Sequence, residues 1–239
     1  FHDFEFPAAS SSFGITQRET ASTWKKPNDI AKTVNFGKYI DPNDFQPGTL
    51  SSPHFLSALS GIADFKQNKT IIEDQKTNSN GFYLIRLFVN SVWRYIAVDH
   101  FLPFIGGENA GVLSNIEGGE TDLQGSLIEK AYAKSFGGYD SFARVQPREY
   151  YLRDLTGAPV KKYAITNLLI SDSFDLQNIV KKALASGQVV QAVPTDKIAA
   201  LGANPNFSYS VINYSSKGSL ELRNSWELSN RDQKQVSKL

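Results

Sequence analysis

The chain has 239 residues, 41% of them hydrophobic, and its 25 basic side chains nearly balance 24 acidic ones. This length suffices for one large or two small domains with a buried core, and the balance argues against nucleic-acid binding by bulk positive charge. There is no Cys, which excludes disulfides, thiolate metal sites and a cysteine nucleophile. The three His residues, His2, His54 and His100, show no paired metal-ligand spacing, so we expect no metal site.

The start of the chain gives no targeting signal. There is no Met anywhere, and the first residues lack a basic stretch followed by an apolar one. We therefore expect an internal fragment or a processed product without a signal peptide. No apolar run approaches the roughly 18 residues that would span a membrane.

Residues 1–22 predict an irregular arm. They hold Phe4 and Phe6 in a polar context, and a terminal segment is ordered only where such side chains tie it down. We therefore expect the arm to be pinned onto a domain surface by its aromatic side chains.

A helix is predicted to begin at residue 53. Ser52 is a good N-cap, and Pro53 suits the first helical position, where its missing N–H costs nothing. Phe55, Leu59 and Ile62 follow at the spacing of one helix face, which predicts that this face packs on a core.

The middle of the chain predicts a β-hairpin and a second helix. Residues 82–89 and 92–98 are the hairpin strands, joined at Asn90 and Ser91. Both faces of the first strand are largely apolar, so we expect the sheet to be covered on both sides. A helix over residues 121–135 follows.

A second unit is predicted to begin near residue 157. Its helix is capped by Ser173 and ends at Gly187. Strand-like runs follow at residues 188–193, 207–214 and 220–223.

This order of elements predicts an α+β fold of two lobes. The first lobe, residues 1–157 with 1–22 as its arm, is expected to be helix-rich. The second, residues 158–239, is expected to be strand-rich.

One stretch carries a specific family resemblance. Residues 127–134 read LIEKAYAK, with Gly138 and Tyr139 after them, and resemble the LLEKAYAKL helix and the following G-x-Y of the calpain family of papain-like cysteine proteases. Residues 48–59, GTLSSPHFLSAL, are similar to that family's G-x-L-G-D-C-W-F-L-S-A-L.

Further motifs resemble the family in the same order. Residues 98–103 (VDHFLP) resemble V-D-D-x-L-P, 155–157 (LTG) resemble L-T-G-G, 209–211 (YSV) resemble the end of G-H-A-Y-S-V, and 220–226 (LELRNSW) resemble L-x-L-R-N-P-W. The resemblance covers nearly the whole chain. It implies the two-lobed papain-like calpain core, with a second lobe that looks truncated.

The resemblance places the family's catalytic positions on residues that lack the chemistry. The nucleophilic Cys corresponds to Pro53 and the base His to Phe207, and neither side chain can attack a carbonyl or accept a proton. The orienting Asn corresponds to Asn224 and is kept. The Gln that donates to the oxyanion corresponds to Pro47, with Gln46 one residue too early. We therefore expect no catalytic residues and an inactive member, a pseudoprotease.

Four other residues are candidates for lining the former cleft: Ser51, Ser52, His54 and Trp226. The two serines beside His54 leave open a hydrolase with a displaced, non-cysteine site, although helix capping already explains both. Trp226, together with His54 and Phe207, leaves open a remnant cleft that holds a peptide without cutting it.

Calcium enters only through the resemblance, since calpain cores bind it with acidic side chains and backbone carbonyls. Ser52 stands where an Asp normally precedes the nucleophile, and no EF-hand loop is present. We expect no metal or other cofactor, and weak or absent dependence on calcium.

The resemblance thus implies a catalytically inactive calpain-like domain with a structural or protein-interaction role. Its expected partners are proteins, cytoskeletal or microtubule-associated ones included, with no nucleic acid and no membrane. The implied location is intracellular, in the cytoplasm, at the cytoskeleton or in a cilium.

Overall fold

A computed structural model describes residues 2–14, 22–35, 41–42, 45–65, 76–77, 81–116, 120–144, 149–163, 170–194, 204–215, 219–226 and 235–238. Within these ranges the chain folds into short helices and strands of mixed order. No described helix is both long enough and apolar enough to cross a membrane.

The described helices are a 3-10 helix at Ser10–Phe13 and the α-helices α1 (Pro27–Ile30), α2 (Pro53–Asp64), α3 (Gln124–Ser135), α4 (Ser141–Arg144), α5 (Tyr150–Thr156) and α6 (Ile170–Ala185). The described strands are β1 (Ser22–Lys25), β2 (Val34–Asn35), β3 (Phe45–Gln46), β4 (Lys76–Thr77), β5 (Phe82–Val89), β6 (Val92–Asp99), β7 (Leu102–Ile105), β8 (Glu108–Asn109), β9 (Leu113–Ile116), β10 (Glu120–Asp122), β11 (Val190–Ala192), β12 (Tyr209–Tyr214), β13 (Ser219–Arg223) and β14 (Gln235–Lys238).

These strands pair into four small sheets. Their strand orders are β1-β7-β8, β2-β10-β9-β3, β4-β5-β6 and β11-β12-β13-β14. All pairings are antiparallel except that of β10 with β2. The fold is therefore a mixture of helix and sheet, as expected of an α+β chain.

The predicted hairpin is confirmed as β5 and β6. Asn90 and Ser91 join the strands with φ of 53° and 62°, and Val89 pairs with Val92. Positive φ at both central residues matches the right-handed strand twist in a two-residue turn, and Asn is among the residues that tolerate it best. The turn therefore fixes the register of the whole hairpin.

The expectation that both faces of this hairpin are covered is wrong. One face of β5 is buried, but every residue from 90 to 95 is exposed, and Trp93 and Tyr95 keep 36% and 47% of their surface accessible. Helices α3 and α5 pack against the hairpin sheet but leave residues 90–95 exposed. The apolar run therefore extends beyond the cover that the helices provide.

Two further expectations need correction. The described part of residues 1–157 contains ten of the strands, so this segment is not helix-rich. Helix α6 begins at Ile170, which places Ser173 inside it rather than at its cap. The predicted end is confirmed, since Gly187 follows with φ of 72° and donates its N–H to the Leu184 carbonyl.

Among the residues that the structure describes, buried apolar side chains form two clusters. The larger runs from Phe6 to Leu155 and includes a group of packed rings, Phe55, Tyr132 and Phe142 among them. The smaller consists of Tyr209, Val211, Leu220 and Leu222, on β12 and β13. The proposed lobe boundary at residue 157 stays a prediction.

The described part of the N-terminal arm, residues 2–14 and 22, is more deeply buried than predicted, and residues 1 and 15–21 lie outside the described residues. Phe6 and Phe13 belong to the larger cluster, whereas Phe4 is 92% exposed and pins nothing. Asp3 is buried and its carboxylate accepts from the Lys134 ammonium at 2.7 Å and 2.8 Å. The arm is thus tied by aromatic burial and by an ion pair to α3.

Candidate functional site

Helix α2 begins where the sequence predicts. Ser52 has an extended backbone, and its hydroxyl accepts from the Phe55 N–H at 3.4 Å. Pro53 occupies the first helical position, where no N–H partner is required. Pro53, which the resemblance assigns to the family's nucleophile position, therefore sits at a helix N-terminus and carries a pyrrolidine ring instead of a reactive side chain; that assignment stays a prediction.

Ser51 and Ser52, which precede this helix, have structural roles. Ser51 and Ser52 are buried, at 7% and 6% exposure. The Ser51 hydroxyl accepts from the Gly48 N–H at 3.0 Å, and Gly48 itself lies against residues 110–111, where a Cβ would come within 2.2 Å of the Gly111 carbonyl. These contacts fix the loop before α2 and engage both hydroxyls.

A buried carboxyl group lies behind this loop. Glu129 of α3 has no exposed surface and accepts from the Val112 N–H at 2.6 Å. Burial raises its pKa to about 7, although the Val112 hydrogen bond and the Ser51 hydroxyl act in the opposite direction. Burial also raises the pKa of the nearby Tyr139 hydroxyl well above its usual range. These groups support the loop from inside and are remote from solvent.

An aromatic pair occupies the opposite side of the site. Phe207 and Trp226 have ring centroids 5.3 Å apart at an interplanar angle of 43°. Phe207 packs on the smaller apolar cluster and Trp226 on the larger one, so the pair bridges the two. Phe207, which the resemblance assigns to the family's base position, is therefore a packed apolar ring; that assignment also stays a prediction.

Asn224 has a local hydrogen-bond partner. The Asn224 side-chain oxygen accepts a hydrogen bond from the Trp226 backbone N–H at 3.1 Å. This bond shapes the turn after β13. Gln46 lies on β3, paired in register with Leu113, and Pro47 follows it. Both residues are half-buried parts of the scaffold. Their assignment to the family's positions stays a prediction.

One polar contact joins the two sides directly. His54 Nδ1 lies 2.5 Å from the Ser208 hydroxyl, and either atom can be the donor. The Gln191 side chain also donates to the His54 carbonyl at 3.2 Å. Because His54 follows Pro53 and Ser208 follows Phe207, this contact places Pro53 and Phe207 on facing sides of one junction.

The same face of α2 continues the junction. The Ser210 hydroxyl donates to the Ser57 carbonyl at 2.7 Å, and the Ser225 hydroxyl donates to the Ser60 hydroxyl at 2.8 Å. Gly61 is required here, since a Cβ would lie 2.9 Å from Val189.

An ion pair closes the far end of this face, because Asp64 and Arg223 lie 2.6 Å apart. Helix α2 therefore meets the β11–β14 sheet through hydroxyls, one imidazole and one ion pair. We call this surface the polar junction.

At the start of α2 a serine, Ser52, stands where the family resemblance leads us to expect an Asp. The Ser52 hydroxyl is engaged by the Phe55 N–H, and no carboxylate replaces it there. In the described ranges no three His, Asp or Glu side chains lie together as metal ligands. Weak or absent dependence on calcium stays a prediction.

The sequence patterns above do not single out the partners of His54 and Ser57. Ser208 precedes the motif at residues 209–211, and Ser210 lies inside it without being marked as a contact residue. A usable signal is present in α2, however: His54, Ser57, Gly61 and Asp64 recur at intervals of three or four residues. That spacing marks a second, polar helix face opposite the apolar one.

Comparison with known proteins identifies the scaffold. The model of the calpain family cysteine protease domain matches residues 1–230. The maize protein "Calpain-type cysteine protease DEK1" is 28% identical over 171 residues, which is 66% of this chain and 8% of that protein.

Two animal proteins match over a longer stretch. Calpain-5 of Caenorhabditis elegans is 26% identical over 206 residues, 80% of this chain and 31% of that protein. Calpain-13 of Rattus norvegicus is 29% identical over 206 residues, 80% of this chain and 29% of that protein. The chain thus spans less than a third of each relative.

Proposed function

Because the chain belongs to the calpain family of cysteine proteases, we propose that it is a catalytically inactive member that serves as a protein-interaction module. One observation carries the proposal: Pro53 stands at the helix N-terminus and Phe207 stacks on Trp226 at 5.3 Å on the facing side. Peptide hydrolysis by this family needs a nucleophile and a base at these two places. Neither residue supplies one, and the chain contains no Cys.

The direct test is a cleavage assay. We expect no cleavage of casein or of calpain-type peptides above the buffer rate, with or without calcium. An active calpain in parallel reactions is the positive control for substrate and buffer. Cleavage that persists after repurification and is abolished by Ser51→Ala, Ser52→Ala or Ser208→Ala would overturn the proposal.

A restoration experiment measures how far the site has drifted. We expect Pro53→Cys with Phe207→His to leave proteolysis below the level typical of the family. Pro47 stands in place of the oxyanion donor, whose loss typically costs about 10²–10³ in rate, and the Phe207 pocket is packed around Trp226. Adding Pro47→Gln tests the donor separately. Robust cleavage by the double variant alone would show that only two side chains separate this domain from activity.

A hydrolase with a displaced site is the second candidate, and the His54–Ser208 contact favours it. A serine hydroxyl 2.5 Å from an imidazole nitrogen has the spacing of a nucleophile and its general base. Against it, Ser208 is only 3% exposed, so a substrate carbonyl has little access to its oxygen. Labelling by a fluorophosphonate probe that is lost in Ser208→Ala, but not in Ser210→Ala, would support this candidate.

A remnant cleft is the third candidate. Phe207, Trp226 and His54 would hold an extended peptide without cutting it. Capture of a peptide library by the wild-type chain, lost in Trp226→Ala, would distinguish this role from that of a purely structural domain.

The partners and location belong to the same proposal. We place the domain in the cytoplasm, at the cytoskeleton or in a cilium, with protein partners and without nucleic acid or membrane. Copurification of cytoskeletal proteins with the tagged full-length protein tests this placement. Enrichment in a membrane fraction or with nucleic acid would contradict it.

A further inference from the structure

The hairpin presents one edge of its sheet. Strand β6 stands at the end of the order β4-β5-β6, so among the described strands it pairs only with β5. Successive residues of a strand direct their N–H and C=O groups alternately to one neighbour and to the other. A two-residue turn closes on a hydrogen-bonded pair, here Val89 and Val92, so the next residue, Trp93, directs both groups to the outer edge.

Contacts at the far end of β6 agree with this alternation. Ala97 and Asp99 lie at even intervals from Trp93, which directs their carbonyls to the same outer edge. These carbonyls accept from the ammonium groups of Lys134 at 2.9 Å and Lys130 at 3.2 Å, both on α3. Lysine side chains therefore occupy, at residues 97–99, the acceptors that a further strand would use.

The other half of this edge is accessible. Residues 91–95 are exposed, and β6 pairs with β5 in continuous register from Val92 to Asp99, without a bulge. Proline and β-bulges are devices by which proteins prevent pairing at a sheet edge, and residues 92–96 contain neither. The stretch 92–96 is therefore a regular strand segment to which another strand can be added.

The two faces of this segment differ in chemistry. Trp93 and Tyr95 lie on one face of the sheet, and Arg94 lies on the other. The rings of Trp93 and Phe88 pack with centroids 5.4 Å apart, which makes the first face aromatic. Arg94 is exposed, and its partner directly opposite on β5 is the uncharged Leu87. An added strand would therefore place alternate side chains beside aromatic rings and the side chain between them beside a guanidinium.

We propose that residues 92–96 of β6 bind an extended segment of a partner protein as an added antiparallel strand. The segment carries Asp or Glu opposite Arg94, and β-branched or aromatic side chains opposite Trp93 and Tyr95, because such cross-strand pairs stabilise antiparallel sheets. This inference rests on the proposed interaction role and names the chemistry of the partner.

A second copy of this chain fits the edge less well. In the two-fold antiparallel register that pairs residues 92–96 of both copies completely, Arg94 lies opposite Arg94. Like charges directly opposite each other destabilise a strand pair, whereas a carboxylate at that place stabilises it. The charge on β6 therefore selects a different chain with an acidic residue at the centre of its strand.

The test is fluorescence anisotropy with the whole chain and a labelled peptide, Ser-Thr-Val-Glu-Val-Thr-Ser, for which we expect saturable binding. In the proposed register the two Val N–H groups face β6 and the two Thr N–H groups face away. N-methylation of both Val residues should weaken binding at least about tenfold, whereas N-methylation of both Thr residues should leave affinity within about threefold. No binding of the unmethylated peptide, or equal effects of the two methylation patterns, would overturn the proposal.

A charge exchange tests the register. Arg94→Glu should weaken binding of the Glu peptide about fivefold and strengthen binding of the same peptide with Lys for Glu. Lys182→Glu changes the net charge equally, at an exposed position of α6, and should leave both affinities within about twofold. Equal losses in the two variants would show a bulk charge effect and contradict the pairing at Arg94.

The outward N–H of Trp93 is tested with two substitutions. Trp93→Pro removes this N–H and the ring, and Pro is accepted on edge strands, whereas Trp93→Thr removes only the ring. The Pro variant should therefore bind the Glu peptide more weakly than the Thr variant, and equal affinities would contradict backbone pairing. Circular dichroism and unfolding midpoints verify that each variant is folded, and the methylated peptides test the same pairing on the unaltered chain.

Two further outcomes separate this proposal from its alternatives. Sedimentation velocity that shows a dimer which the Glu peptide dissociates would assign the edge to a second copy and overturn the proposal. Failure of the peptide experiments with no cleavage of casein refutes only the added strand, whereas cleavage of casein refutes the proposed loss of activity.

Discussion

The two faces of α2 form opposite kinds of contact. One face carries Phe55, Leu59 and Ile62, all without exposed surface, into the larger apolar cluster. The other carries His54, Ser57 and its neighbours into the polar junction. Apolar burial is roughly proportional to area and non-directional, whereas the hydroxyl contacts need specific geometry and contribute little net energy each. The apolar face of α2 therefore contributes most of its stabilisation, and the polar face positions the β11–β14 sheet against the helix.

The strongest test of this comparison removes apolar volume on each side. Leu59→Ala and Leu127→Ala should each lower the free energy of unfolding by about 2–5 kcal/mol, because both side chains are buried in the larger cluster. Leu222→Ala in the smaller cluster should lower the free energy of unfolding by less, because fewer apolar groups surround Leu222. Urea unfolding measures all three. Near-zero changes at Leu59 and Leu127 would contradict the assigned helix faces.

The buried Glu129 gives a pH-dependent prediction. Its folded pKa of about 7 exceeds the usual 4.5, so between these values the folded state holds a proton that the unfolded state has lost. Stability therefore falls as pH rises through this window and levels off above about pH 7, a difference of about 3 kcal/mol at most. Glu129→Gln, which keeps an acceptor for the Val112 N–H, should remove this loss.

The measurement is the difference in unfolding free energy between Glu129→Gln and wild type, followed from about pH 5 to about pH 8. The variant should gain relative stability toward neutral pH. A difference that is constant across the window would show that Glu129 is ionised throughout.

The polar junction predicts a smaller effect. Ser60→Ala and Ser225→Ala should each lower the free energy of unfolding by about 1 kcal/mol or less. If the hydrogen bond between the two hydroxyls is the shared contribution, the double variant should lose no more than either single variant. Chemical denaturation of the four proteins in this cycle gives the coupling energy. Strictly additive losses would mean that the two hydroxyls act independently.

The smallest loss of stability is expected at Asn224. Asn224→Ala removes one acceptor for the Trp226 N–H in a half-buried turn, and should cost less than about 1 kcal/mol. Thermal unfolding monitored by Trp fluorescence checks it. A loss comparable with that of Leu59→Ala would show that Asn224 is a central structural group rather than a local turn residue.

Local signals in the sequence were sufficient for several elements. The Ser52 cap with Pro53, the Asn90–Ser91 turn and the Gly187 helix end act within a few residues, and each lies where predicted. The start of α6 was predicted wrongly because Ser is a common cap residue that is also tolerated inside helices. The cover on the hairpin was overestimated because an apolar pattern does not say how far neighbouring helices reach.

The sequence by itself determined the family, the absence of a cysteine nucleophile and the face of α2 that enters the core. These follow from residue identity and from periodicity, which are properties of the chain alone. Tertiary structure decided that Phe207 packs against Trp226, that His54 meets Ser208, and that Trp93 packs on Gly157. Such contacts join residues far apart in sequence, and their formation depends on how the helices and sheets pack, which no local pattern encodes.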